Sequence, residues 1–521
     1  MKNLHLATVA VVACLVSACA SSSASVAAAP IPADGPGIAA EELRRDLSVF
    51  ASDSFGGRET GTPYADKAAH WLAARLAQLG LEPGGDSGYF HRVPMRKTVI
   101  TPGEVTLGPV ASPRQLRVGP DIAFISTLGE GAPLPRNAVD AELVFVRYGL
   151  ADTALKRDDY AGVSAAGKVI VIVGTVPPGL SDEQRKAMEN PQTVFNRIGL
   201  AIGKQPAGIV LLLPDSVFRM AASQFTGTQI ELDKGVAPRP AQPRVLPFIA
   251  VAPLTGSPML PDGWPGNEAA QMATGIRLKA SYEETASTFN GYNVVGIVRG
   301  TDPALRTTYV AYGAHYDHVG IGTPVDGDSI NNGADDDGSG SVTLLAIARA
   351  WKAAPPKRSG LFVWHIGEEK GLFGSEAFTN KPSVPLDSIV AQVNADMIGR
   401  NHPDSLYIVG PGAAPNGQSS VMGAVIDSVN ASGSTPFVFN REWDTTTHPE
   451  RIYFRSDHFN YARKGIPIVF LTTGLHPQYH QVTDEAALID YSKMARIGDL
   501  MYRMGLALGN RPTRPKPTGV Q

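Results

Sequence analysis

Histidine and carboxylate side chains gather at five places in the second half of the sequence. These are His315-Tyr316-Asp317-His318, Asp335-Asp336-Asp337, Glu368-Glu369, Asp396, and a last stretch with His476 and His480. Such side chains are the ligands that a pair of divalent metal ions needs when no thiolate is available. Both cysteines, Cys14 and Cys19, lie within the first twenty residues, so disulfides and thiolate sites are excluded from the folded body. Each cluster alone reads as a core histidine or a solvated acidic loop; their conjunction carries the argument. Two other chemistries fail on spacing. An EF-hand loop starting at Asp326 would need an oxygen ligand where Ile330 stands and a glutamate where Asp337 stands. Ser339, between Gly338 and Gly340, lacks the leading glycine of a nucleophile elbow, because Asp337 holds that place.

The clusters follow apolar runs. Strands are expected at 308–314, 361–367, 389–395 and 466–474, alternating with helices over Ser341–Ala353, near Ser375, over Ser419–Asn430 and over Tyr491–Leu508. This alternation predicts an α/β fold, a mainly parallel central sheet flanked by helices. Ligands of such sheets bind beyond the carboxyl ends of the strands, where the polar clusters fall. Two amphipathic helices open the folded part: Leu43, Leu47 and Phe50 share one face, and Ala68, Trp71, Leu72, Leu76 and Leu79 share another. The segment DSFGGRETGTP joins them. Between 135 and 285 the pattern changes to short β-branched runs (AELVFVRYG, GKVIVIVG, AGIVLLLP, VLPFIAVAP) with one helix, Val194–Lys204, which reads as a β-rich inserted domain.

The composition fits a small-molecule or peptide partner. Across 521 residues, 46 Lys and Arg face 49 Asp and Glu, a net charge of −3. No long basic run is present, which argues against nucleic acid or an anionic membrane surface as the main partner. The amino terminus has Lys2, then an apolar stretch from Leu4 to Val16, then small residues, the layout of an export signal too short to span a membrane. Val16-Ser17-Ala18-Cys19 resembles a bacterial lipobox, whose processing leaves Cys19 as a lipidated amino terminus. Residues 1–18 are then signal peptide, and Ala20, rather than Asp, after the cysteine suits an outer-membrane lipoprotein of the cell envelope. The Ala-, Ser- and Pro-rich stretch 19–36 reads as a flexible tether.

The motifs AHYDHVG, NNGADDDGSG, GEEKGLFGS, NADMIGR and QYHQVTD, in this order, resemble those of the co-catalytic dizinc aminopeptidases. That family includes bacterial leucyl aminopeptidases, glutamate carboxypeptidases and the metal-free transferrin receptor. FASDSFGGRETGTP extends the likeness upstream, and the insert 135–285 looks like a protease-associated domain. Residues 37–134 and 286–510 would then be the two parts of one peptidase domain, with 511–521 as a tail. The resemblance implies two zinc ions, with His315 and Asp396 on one, Glu369 and His480 on the other, and Asp336 bridging both. It also implies a cis peptide after Asp336, Asp317 hydrogen-bonded to His315, and Glu368 as the base that takes a proton from the attacking water. His318, Asp457, His458 and His476 recur beside the motifs and suit supporting or pocket positions. Tyr479 could reach an oxyanion, and Arg441, Trp443 and Arg455 could line the cleft or lie in a solvated loop. His365 reads as core; His70, His91, His402 and His448 have no partner pattern. The expected function is a lipid-anchored zinc aminopeptidase. Its rivals are a carboxypeptidase or dipeptidase on the same site, a non-catalytic binding protein like the transferrin receptor, and a one-zinc glutaminyl cyclase. The sequence sets no oligomeric state.

Overall fold

Four of the apolar runs lie side by side as parallel strands. Their order is Ile468–Thr472, Ile389–Ala395, Tyr309–His315 and Ser359–His365. Every residue in them is buried, because helices cover both faces, as a parallel sheet requires. Alternate side chains serve opposite cores. Val310, Tyr312, Phe362, Trp364, Val393 and Leu471 pack with the helices Ala40–Phe50, Pro63–Gln78, Gly340–Ala353 and Tyr491–Asn510. Tyr309, Ala311, Leu361, Val363 and Phe470 face a second core with Phe378, Trp443 and Tyr461. The strand Ser405–Val409 joins antiparallel beside Ile468–Thr472, so the sheet is mixed but mainly parallel.

The computed structural model describes residues 37–125, 137–189, 191–225, 228–235, 248–251, 259–260, 273–412 and 420–516. The expected signal 1–18, the tether with Cys19, the end of the tail and part of the VLPFIAVAP run lie outside the described residues.

Two long strands, Phe90–Gly108 and Ala273–Val298, were not expected. They pair antiparallel along most of their length. Pro94 and Pro102 and the scattered charged side chains Arg92, Arg96, Lys97 and Glu104 hide the first, since proline inside a run ordinarily argues against a strand. The inner end of Ala273–Val298 pairs with Ser359–His365, and its outer part pairs with Asn137–Phe145. From there Val169–Val173, Gly208–Leu212 and Phe248–Val251 continue in parallel, and Ile122–Ile125 lies at the far edge. The expected insert therefore continues the central sheet instead of hanging from it on linkers. Its core takes in Ile100, Val105, Leu107 and Phe124 together with Leu143, Val171 and Tyr282, so that core begins near residue 100, ahead of position 135. An exposed hairpin, Ile321–Val325 with Asp328–Ile330, separates the first two polar clusters.

Candidate metal centre

The sheet delivers its polar residues to one place because the strands are parallel and end together. His315 closes its strand, Asp396 follows Ala395 directly, and Glu368 and Glu369 follow Ser359–His365 after two residues. His480 comes from the turn after Ile468–Thr472, and Asp336 from the turn that opens the helix Gly340–Ala353. The Asp336–Asp337 peptide is cis, as the resemblance implied.

Asp336 stands between two donor groups. Its Oδ1 lies 3.3 Å from His315 Nε2, and its Oδ2 lies 3.1 Å from His480 Nε2. His315 Nε2 is also 3.5 Å from Asp396 Oδ1 and 3.9 Å from Glu368 Oε2. On the other side His480 Nε2 is 3.0 Å from Glu369 Oε2, and His318 Nδ1 is 2.8 Å from Glu369 Oε1. The donor atoms of His315, Glu368 and Asp396 lie within 4.8 Å of one another, as do those of His318, Asp336, Glu369 and His480. All candidate ligands therefore meet, and Asp336 presents one oxygen to each group.

The donors suit two divalent cations. They are nitrogen and oxygen only, a set that zinc accepts. His480 Nε2, buried, sits between two carboxylates without a hydrogen bond aligned to either, which suits a ligand lone pair aimed at a common point. Carboxylates crowd the buried site: Asp317, Asp336, Asp337 and Asp396 are all at most 7% exposed. Burial, together with Asp396, Glu369 and Asp457, pushes the Glu368 carboxyl well above its usual range. His315 and His480 overcome the burial of Asp336 and hold it well below. Against burial, Glu368 and Asp396 raise His315 well above neutrality, while Asp336 and Glu369 raise His480 to about 10. Two divalent cations held here would balance this excess of carboxylate.

A second set of residues fixes the first. Asp337 accepts from the backbone N–H groups of His315, Gly340 and Met397. Asp484 accepts from the N–H groups of Asp335 and Asp336, and Asp335 accepts from Gly399 N–H at 2.6 Å with His476 Nε2 3.3 Å away. Arg58, fully buried, donates to the carbonyls of Phe50, Tyr316, Asn332 and Gly333. Burial brings its guanidinium down to about 10, still charged at neutral pH. Thr60 Oγ1 donates to Asp317 Oδ2 at 2.7 Å. Sequence reasoning gave no role to Asp484, Arg58 or Thr60, although each stands inside a quoted motif.

One expected contact differs. The Asp317 carboxylate is 3.9 Å from His315 Nδ1, and the Asp317 backbone carbonyl takes that position at 3.0 Å. The carboxylate is engaged elsewhere, by Thr60 and by the backbone N–H of Glu368. The tautomer of His315 is thus set by a main-chain acceptor, which serves a metal-binding imidazole equally well.

A cleft of about 410 Å³ opens over Glu368, Glu369, Asp336 and Asp396. Met397, Trp443, Ile452, Phe470 and Leu475 give it an apolar wall; Tyr479 and Arg455 also line it, 3.2 Å apart. Trp443 stacks on Tyr407 at 4.0 Å. Arg441 instead pairs with Asp427 at the surface. His458 is core: it contacts the Tyr453 carbonyl through Nε2, stacks on Phe470, and is brought down to about 3 by burial. His365 is fully buried, as expected.

Comparison with known proteins agrees with this geometry. Residues 293–504 match the model of peptidase family M28. Leucine aminopeptidase 1 of Arthroderma otae is 29% identical over 257 residues, 44% of this chain and 65% of the relative. A probable leucine aminopeptidase 1 of Trichophyton verrucosum is 30% identical over 220 residues, 39% of this chain and 54% of the relative. The chain thus spans less than two thirds of the length of these curated relatives. An aminopeptidase from Aneurinibacillus sp. strain AM-1 shares the fold across 93% of this chain and 97% of its own, with a TM-score of 0.57 and 16% identity. A zinc aminopeptidase from Bacillus subtilis covers the same shares with a TM-score of 0.54 and 17% identity. The stretch that matches the family M28 model carries every candidate ligand, from His315 to His480.

Proposed function

We propose that the chain is a dizinc aminopeptidase that removes the amino-terminal residue of peptides in the cell envelope. The observation that carries this reading is the shared carboxylate Asp336, with one oxygen toward each of two donor groups. His315 and Asp396 would hold one zinc, Glu369 and His480 the other. Bound zinc would lower the pKa of a water toward neutrality and polarise the scissile carbonyl. Glu368 lines the cleft beside this site, where its carboxylate can take a proton from water and return it to the leaving amine. Asp317 holds the Glu368 backbone and orders the strand end. The carboxylates along the cleft suit a substrate α-ammonium group, and the apolar wall suits an aliphatic or aromatic first side chain.

Arg455 is the one cationic residue among the described residues lining the cleft, and it favours a second reading in which a free carboxylate is held, as in a carboxypeptidase or dipeptidase. Zinc content measured with a panel of peptides, each also N-acetylated or C-amidated, separates the readings. We expect about two zinc ions per chain, loss of turnover on N-acetylation, and retention on C-amidation. Loss on C-amidation alone would transfer the assignment to the second reading. We further propose that the 135–285 insert is a protease-associated domain, and that the protein is exported and anchored through a lipidated Cys19.

A further inference from the structure

His318 is not needed for the ligand set that the resemblance implies, yet it stands inside it. Its ring is fully buried. Nδ1 is 2.8 Å from Glu369 Oε1 and 3.7 Å from Asp336 Oδ2. The ring sits edge-on to His480, with centroids 5.5 Å apart. On its other side the chain leaves no room: a Cβ at Gly333 would lie 2.5 Å from two atoms of the imidazole, and Gly333 has φ +56°. Nε2 is buried with no hydrogen-bond partner.

An ionised carboxylate only accepts, so the contact with Glu369 makes Nδ1 the protonated nitrogen. In the Nδ1–H tautomer Nε2 carries a bare lone pair, and no donor lacks an acceptor. A ligating Nδ1 would instead put the proton on Nε2, where nothing accepts it, and metal-bound histidines almost always donate their second N–H. A count of donors points the same way. Asp336, Glu369 and His480 give one metal three protein ligands and leave the open position that catalytic zinc requires. A fourth from His318 would close it.

We propose that His318 is a positioning residue: its Nδ1–H fixes Glu369 Oε1, so that Oε2 is presented to the metal shared with His480 and Asp336. The proposal rests on the reading of the site as a dizinc centre. It predicts an asymmetric effect on the two metal positions, because His318 contacts Glu369 and approaches the shared Asp336 at Oδ2, the oxygen turned toward His480.

The test is stepwise zinc binding to the metal-free full chain, followed by competition with a calibrated chelator. Wild type is measured first: fewer than two binding steps there would overturn the dizinc reading itself. His318→Leu removes the donor and should weaken one step by about 10- to 100-fold, leaving the other unchanged. His318→Asn keeps an N–H near the Nδ1 position and should stay within a few-fold of wild type. Asparagine is a poor zinc ligand, so equal losses in both variants would make His318 a ligand and overturn the proposal. Unchanged binding in the leucine variant would make it a bystander. Should that variant fail to fold, His318→Gln, whose longer side chain displaces the amide, is measured in its place against the same expectations.

Discussion

Glu368 and Glu369 are neighbours in sequence with different partners in space. Glu369 contacts two histidines, His318 and His480; Glu368 reaches only to 3.9 Å of His315 and lines the cleft. Glu368→Gln keeps the shape but cannot accept a proton, so kcat should fall by about 10²- to 10⁴-fold with zinc content near wild type. Glu369→Gln should weaken one zinc and regain part of its activity in excess metal. Activity and bound zinc measured on both variants in one buffer decide the matter, and the opposite pattern would exchange the two roles. His480 adds a pH dependence. In the metal-free chain it holds a proton up to about pH 10, and zinc has to displace that proton. Apparent zinc affinity should therefore rise between pH 6 and 9, by up to about tenfold per unit for one proton released; a flat profile, measured with a chelator calibrated at each pH, would contradict it. The metal-free fold should respond in the other sense. A folded pKa above the unfolded value of about 6.5 contributes stability below that value, and the contribution is lost as pH climbs through about 10.

Arg58 ties together three segments that no strand connects: the end of the helix Ala40–Phe50, the turn after His315, and the loop ahead of Asp336. Arg58→Met would remove a donor from four buried carbonyls, of which Gly333 keeps the N–H of Gly338. It should destabilise the protein by about 3 kcal/mol or more, read as a fall in the thermal midpoint. Arg58→Lys should rescue little, because one ammonium cannot reproduce a planar fork of donors; near-complete rescue would mean that charge alone matters there. The role of Arg58 is hard to read from sequence because its partners are backbone oxygens, which leave no residue signature. The ligands are readable for the opposite reason. His315, Glu369 and Asp396 each follow a strand whose apolar run stands out, and their chemistry is carried by side-chain identity. The long strands Phe90–Gly108 and Ala273–Val298 stayed hidden, since their charged and proline positions reflect partly exposed faces and give no single clear period.

At the scale of the whole molecule, lipid anchoring is the prediction that the folded body leaves untouched. Attachment needs the Cys19 thiol, so Cys19→Ser should move the protein from the membrane to the soluble fraction with turnover unchanged; unaltered fractionation would reject the anchor. The insert is a different matter, because it is woven into the central sheet. Phe90 pairs with Val294, and Gly108 pairs with Arg277, so strand 90–108 waits for a partner made 169 to 204 residues later, the kind of non-local closure that slows folding. As the chain is synthesised, residues 37–108 present an unfinished edge until the whole insert has emerged. A premature stop inside the insert would take away every candidate ligand together with the end of strand 273–298, and the unpaired edge of strand 90–108 left behind would be prone to pair with other chains. The order in which this protein is made gives the insert a say in whether a metal centre can form.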